Sequence, residues 1–548
     1  MERPFGNTGI YIKIFCTCNL LSINMSKIDI EEKDRESLKA INRYIEENIR
    51  SDEESGIDFI DPRDHAYRLK ASQNHVVFGR RGAGKSTLFK QIDSNKKRLK
   101  IDVDIESYKD ISFPNVVLHI LKDALEGLRE RIIEKCPITE GYLLARKFSY
   151  FNLRKKINKI DETILEPDEY DQEVRHTEDR EANASVPMGT STTAGGRVSS
   201  SREVTRTVNE SKITNLLRQL QKYKELIVES IKYLGNPEVF IMMDDFYFLN
   251  KEIQPNTLDF FHRISKDISV YVKVASIKNR TILHKRRDDS SFGMELGHDI
   301  QDIDMDYTLD DFDSLKDFMD RLMSRVSERS DGSFYNMREI FAGDGFNTLC
   351  LASGGVPRDF LSLLRSCIDR FVLSDGTKIG VKQVRGVAIG RIEDKKSYLQ
   401  EDAGKEADIL DAYLNYIVDY VYREKRRNVF LVAKDELDNY PKSRQSIKEL
   451  VDLRLIHLLD KNTSKAPSDG RQYEGYMIDV GLYDNTKPRD FTEVQPGAAD
   501  SESRKTELRS SPVLDLPELE RNLQDSVPLD NMTLSPASTD GTQARQGG

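Results

Sequence analysis

The clearest chemistry in this 548-residue chain lies in the run Gly79-Arg80-Arg81-Gly82-Ala83-Gly84-Lys85-Ser86-Thr87. It fits G-x-x-x-x-G-K-[ST], in which glycines let successive backbone N–H groups turn inward around a phosphate. Lys85 is expected to carry charge to the β- and γ-phosphates, and the Ser86 hydroxyl to ligate Mg²⁺. The whole run from Gly79 to Thr87 is therefore the expected nucleotide cradle, with ATP and Mg²⁺ as cofactors. His75-Val76-Val77-Phe78 reads as a strand feeding the loop, and Leu88 to Ile92 as a helix leaving it. A Gly-rich turn with an accidental lysine is the plain alternative, and this strand–loop–helix context weighs against it.

Such a site needs an acid at the end of a neighbouring strand. Val239-Phe240-Ile241-Met242-Met243-Asp244-Asp245 provides a buried-strand run ending in two carboxylates. Asp244 is expected to hold the metal and its water shell. Asp245, one residue on, is expected to act as general base toward the attacking water. A strand capped by a surface turn is the competing reading. Because Asp is shorter than Glu, the pair predicts slow hydrolysis, or a protein that works mainly as a switch. The next strand-like run, Ser269 to Ser276, offers Ser276 or Asn279 at its tip to sense the γ-phosphate. Arg286 and Arg287 follow, before the strand-like Asp299 to Asp304. They read either as a solvated basic loop or as an arginine finger reaching a neighbouring subunit.

Further along stands Gly354-Gly355-Val356-Pro357-Arg358-Asp359-Phe360. Phosphate loop, Asp-Asp strand end, polar strand tip and this turn occur in one order, and the chain resembles AAA+ ATPases of the origin-recognition type and the related STAND signalling NTPases. The resemblance spans roughly residues 55–490. It implies a P-loop NTPase parallel sheet of the AAA+/ASCE type, with a helical lid and a C-terminal winged helix-turn-helix. It also implies that Arg358, at the position of the family's Gly-x-Pro-Arg arginine, reaches the nucleotide as sensor 2. Pro at a helix start and Arg in the first turn are physically consistent with that role. A plain helix start with a solvent-facing arginine is the other reading.

These residues need positioning elements. Apolar spacing predicts lid helices over 310–327, 337–353, 357–373 and 381–392. The ATPase core, 71–306, is expected to carry an insertion at 140–212, with a flexible Ala/Gly/Ser/Thr stretch over 182–201 and helical spacing over 211–233. That insertion is a candidate contact for a protein partner or nucleic acid, and a passive insertion is the equal alternative. A 25–70 helical segment precedes the core, a lid covers 307–400, and 401–491 reads as the winged helix. Between Arg423 and Arg471 there are twelve basic and eight acidic residues. Lys442, Arg444 and Lys448 lie along the recognition helix and Arg471 near the wing, an arrangement that suits double-stranded DNA. Internal packing or protein contact is the alternative role.

Composition sets outer limits. With 83 basic and 93 acidic residues the net charge is −10, which excludes a uniformly basic nucleic-acid coat. No run of about 18 apolar residues exists, which speaks against a membrane span. Five scattered cysteines, among them the Cys16/Cys18 pair, form neither a disulfide framework nor a zinc set, and a cytoplasmic setting is expected. Residues 1–24 read as a non-structural extension before Met25. Residues 492–548, rich in Ser, Pro, Asp and Gly, read as a disordered tail. An ATP-dependent homo-oligomer is a further expectation, from the arginine-finger reading.

Overall fold

A computed structural model describes residues 32–49, 60–135, 143–165, 212, 216–287, 290–330, 336–403, 407–484, 488–497 and 506–526. The chain forms two compact units, residues 51–306 and residues 1–50 together with 307–548.

The unit 51–306 is built on β1 (His75–Phe78), β2 (Arg98–Asp104), β3 (Glu238–Asp244), β4 (Val270–Ser276) and, beyond a hairpin of β5 (His284–Arg287) and β6 (Ser290–Gly293), β7 (Gln301–Asp304). Five of these form one sheet in the order β2-β3-β4-β1-β7, and every pairing in it is parallel. A parallel sheet is covered on both faces, so its central strands are apolar throughout. Val239 to Met243 and Val76 to Phe78 are accordingly buried. One face carries helices Asn115–Lys135 and Gln254–Ser265 on a core that includes Ile101, Val103, Ile241 and Phe261. Leu69, Leu88, Phe89, Phe240, Met242 and Ile303 fill the other. This mixed α/β architecture fits the P-loop NTPase fold.

The connection from β2 to β3 contains an arm of helix Leu143–Leu165 and a helix over 216–233. Leu153, Ile157, Ile160, Leu216, Tyr223 and Ile227 join the core, so this part of the insertion is packed. The stretch 182–201, residues 1–24 and Cys16, Cys18 and Cys136 lie outside the described residues.

In the other unit, helix Glu32–Asn48 buries Leu38, Ile41 and Ile45, and Asn42 and Glu46 bond Asp369 and Arg365 of helix Pro357–Leu373. The expected 25–70 segment is thus divided, since helix His65–Leu69 belongs to the sheet unit. The continuous helix expected over 337–353 is broken into a 3₁₀ turn Met337–Ile340 and helix Gly345–Ala352. Between them the backbone pairs with Ile379 (Ala342 N–H to Ile379 O, 3.0 Å; Ile379 N–H to Ile340 O, 2.7 Å), which takes the groups a helix would use. Helices Phe312–Arg329, Val381–Gly390 and Ile392–Ala403 complete this part.

Residues 407–484 place helix Ala407–Val418 before β8 (Val429–Ala433), helices Lys434–Asn439 and Pro441–Asp452, then β9 (Ile456–Thr463) and β10 (Tyr473–Ile478). The strands form an antiparallel sheet in the order β8-β10-β9. Buried charges tie it to the preceding helices. Asp479 meets Lys395 Nζ at 2.6 Å and His457 Nε2 at 2.8 Å, and Asp359 meets Arg454 at 2.8 Å.

One expectation is corrected. Residues 506–526 are not a disordered tail but contain helices Thr506–Arg509 and Leu516–Ser526. Leucines that look isolated in sequence converge, with Leu508, Leu514, Leu516, Leu519 and Leu523 all buried. Residues 512–514 run along the free edge of β8, with Leu431 N–H donating to Pro512 O and Leu514 N–H to Leu431 O, each at 2.8 Å. Replacing Leu519 with Ala is therefore expected to lower the stability of this unit by about 2–4 kcal/mol in denaturant melts. An unchanged midpoint would return the segment to the unfolded reading.

Candidate functional site

The site grows from the C-terminal edge of the parallel sheet, where β1, β3 and β4 all end. β1 delivers the chain into the loop Gly79–Gly84, and helix Lys85–Lys90 leaves it. Gly82 (φ 85°) and Gly84 (φ 95°) adopt the left-handed conformation that turns the loop on itself, which side-chain-bearing residues rarely adopt. At the loop's base, Gly79 N–H donates to Ser276 O at 3.2 Å, and Ala83 N–H to Arg80 O at 3.0 Å.

Lys85 is buried and its ammonium donates to Gly79 O at 3.0 Å and Arg80 O at 3.4 Å. The ring centroid of Tyr247 lies 5.8 Å from Nζ. Across the strand ends, Asp244 is the last residue of β3 and accepts hydrogen bonds from the Ser86 hydroxyl and, at 2.9 Å, from Asp245 N–H. The two groups expected to hold the metal thus already converge. A hydroxyl and a carboxylate are hard oxygen donors of the kind Mg²⁺ prefers, so the residues present fit that ion.

Asp245 stands one residue beyond, in the left-handed region at φ 53°. Asp and Asn tolerate that conformation better than most residues. Burial pushes the Asp244 carboxyl up, while Ser86 and Lys85 pull it back. Burial and the neighbouring Asp244 raise Asp245 to about 6, against the pull of Lys85. Desolvation and a like charge at close range are the two causes that lift a carboxyl toward neutrality.

The tip of β4 lies between β1 and β3. Ser276 is buried there and its hydroxyl bonds Thr281 Oγ1, while Asn279 is half-buried in the turn Lys278–Arg280. Arg286 and Arg287 stand in the β5–β6 hairpin opposite Ser291 and Ser290, and Arg286 is exposed. This hairpin replaces the expected loop. Arg358 lies in the other unit, half-buried in the first turn of its helix behind Pro357.

Sequence reading missed the partner of Arg80. Its side chain is buried, and one oxygen of Asp306 accepts both its backbone N–H (3.0 Å) and its Nε–H (3.2 Å). Arg80 therefore serves the loop from beneath, with a side chain held by protein. The signal was the acid just past the β7 strand, but nothing in its spacing names the partner. Asp104, in register with Asp244, and Glu106 also bear on Asp245, both raising its pKa.

No family model matches this chain, and no curated protein matches it. Among solved structures it is similar to the Aeropyrum pernix ORC1 protein in complex with DNA, at 12% identity over 83% of this chain and 92% of that one. The TM-score is 0.28, a likeness that carries no weight for fold or function. Among the described residues no helix is long and apolar enough to cross a membrane.

The raised Asp245 carboxyl predicts a pH signature in nucleotide-free, metal-free protein. Between 3.8 and about 6 the folded state binds more protons at this group than the unfolded state does. Its contribution to stability therefore falls as pH rises through that window. Asp245→Asn is expected to remove that fall, so urea melts of wild type and variant diverge progressively across it. Parallel stability–pH curves would show that Asp245 titrates normally.

Proposed function

We propose that this protein binds ATP with Mg²⁺ and hydrolyses it slowly, acting as a nucleotide-dependent switch of the AAA+ kind. The observation that carries this reading is the meeting of Lys85, Ser86 and Asp244 beside a glycine-turned loop at one edge of a parallel sheet. Backbone N–H groups of the loop and the Lys85 ammonium hold the phosphates. Ser86 and Asp244 hold the metal, which offsets phosphate charge when bound. Asp245 accepts a proton from the water that attacks the γ-phosphorus. The bond to the β-phosphate oxygen breaks, leaving ADP and inorganic phosphate. A base that titrates near 6 is mostly ionised at neutral pH, as this step requires. Arg358 is assigned nucleotide sensing on its motif.

The C-terminal module over 401–491 is read as a winged helix whose helix Pro441–Asp452 contacts DNA through Lys442, Arg444 and Lys448. A specific observation favours the competing role of protein contact. Arg444 is paired with Asp438 at 2.9 Å, and Arg471 with Asp435 at 2.8 Å and Glu436 at 2.7 Å.

Lys85→Ala is expected to abolish nucleotide-induced thermal stabilisation. Asp245→Asn is expected to keep that stabilisation and lose on the order of 10²–10⁴-fold in phosphate release. Wild-type turnover in the Asn variant would remove Asp245 from the chemistry. Failure of any purine nucleotide to stabilise wild-type protein would remove the whole reading.

A further inference from the structure

A first-turn arginine points where the start of its helix points, and the start of helix Pro357–Leu373 is held by the C-terminal module. The turn Gly354-Gly355-Val356 leads into that helix, with both glycines left-handed, at φ 56° and 83°. Each glycine is also closed in. A side-chain carbon at Gly354 would collide with the His457 ring, and one at Gly355 with Tyr307 O. The turn is therefore wedged between Tyr307, where the chain re-enters this unit, and His457 of β9.

His457 does not stand alone. Its Nε2 lies 2.8 Å from the Asp479 carboxylate, which also takes Lys395 Nζ at 2.6 Å. The same Nζ donates to Ala352 O at 3.4 Å, at the end of the helix that precedes the turn. On the far side of Arg358, Asp359 accepts from the Arg454 guanidinium at 2.8 Å. Arg454 is 3% exposed and sits at φ 64° in the bend between helix Pro441–Asp452 and β9. A long side chain adopts that backbone state only where its surroundings hold it.

Positions 354 and 359 bracket Arg358, and both are gripped by the few residues that open β9. That grip matters for an arginine that meets phosphate. A guanidinium binds through a rigid fork of donors, so it tolerates little misdirection. A misplacement of about 1 Å costs on the order of a hundredfold in rate.

We infer that Arg454, through Asp359, and His457, through Gly354, are positioning residues for Arg358. The inference rests on the reading of Arg358 as a nucleotide sensor and adds what aims it. It also gives the switch its coupling. Whatever moves the start of β9 moves Arg358, and nucleotide held by Arg358 biases β9 in return, by the reciprocity of linked equilibria.

The test is a double-variant cycle on full-length protein. Single-turnover hydrolysis at saturating ATP is measured for wild type, Arg358→Ala, Arg454→Gln and the two substitutions together. Each single variant is expected to lose on the order of tenfold. The pair is expected to lose no more than Arg358→Ala alone, within about twofold, because Arg454 acts only through Arg358. A packing role would instead lower the melting midpoint in both backgrounds and leave the two losses multiplying. If Arg454→Gln does not fold, His457→Gln, which keeps a donor for Asp479, passes through the same cycle with the same expectation. Multiplying losses, or wild-type hydrolysis in a folded Arg454→Gln protein, would overturn the inference and leave Arg358 as sensor. Wild-type hydrolysis in Arg358→Ala would end the sensing role and the inference together, with nucleotide binding by the phosphate loop still standing.

Discussion

The position of β4 between β1 and β3 is the constraint on which the site depends. Neighbouring strands lie roughly 4.8 Å apart, so the ends of β1 and β3 are separated by about 10 Å. Phosphate-binding amides and the metal-orienting carboxylate cannot therefore sit on adjacent strands. The loop has to climb off β1 and start its helix over β4, and the Ser86–Asp244 hydrogen bond marks where the two sides meet. Parallel polarity makes this workable, because every strand then ends at the same edge. The loop's base is pinned twice, by Ser276 O of β4 and by Asp306 beyond β7, so both strands beside β1 hold it.

The same edge concentrates charge. Asp244 and Asp245 are adjacent and half-buried, with Asp104 and Glu106 adding to the field on Asp245. Lys85 and the hydrogen bonds donated to Asp244 oppose it. A divalent cation would relieve that repulsion, so the arrangement favours the metal-loaded site over the bare one. The other unit solves its buried charges internally. Burial alone would raise the Asp479 carboxyl, yet Lys395 and His457 outweigh it and bring it down to about 2. Removing either partner would strand charge in the interior, a larger cost than the intact pair returns as stability.

Much of this was legible in sequence because each signal is local. The glycine spacing of 79–84, the apolar run ending at Asp244, and Pro357 ahead of Arg358 each specify their own backbone. What escaped is what depends on distant partners. Arg80 stands inside the motif, but its burial against Asp306 joins positions 226 residues apart. Leu516, Leu519 and Leu523 stand at helical spacing, but the period is short and set in a stretch whose Ser, Pro, Asp and Gly content reads as unfolded. They are buried only because the edge of β8 supplies backbone partners and the module supplies a surface. The interruption at 341–344 is likewise dictated by Ile379, which no helical spacing could anticipate.

Charge shows the same divide between tally and geometry. Twelve basic against eight acidic residues from Arg423 to Arg471 suggest a positive surface. In three dimensions Asp435, Asp438 and Glu436 occupy the arginines that the excess relied on. Lys448 is half-buried, and desolvation and Arg444 lower its pKa. An excess of charge along the chain becomes an attractive field only where the cations remain in water without internal partners. The arm keeps Lys155, Lys159 and Lys222 exposed around Lys156, whose Nζ donates to Gln219 Oε1, and none of the four has an ion-pair partner among the described residues. The sign of a surface follows from which charges the fold leaves unanswered.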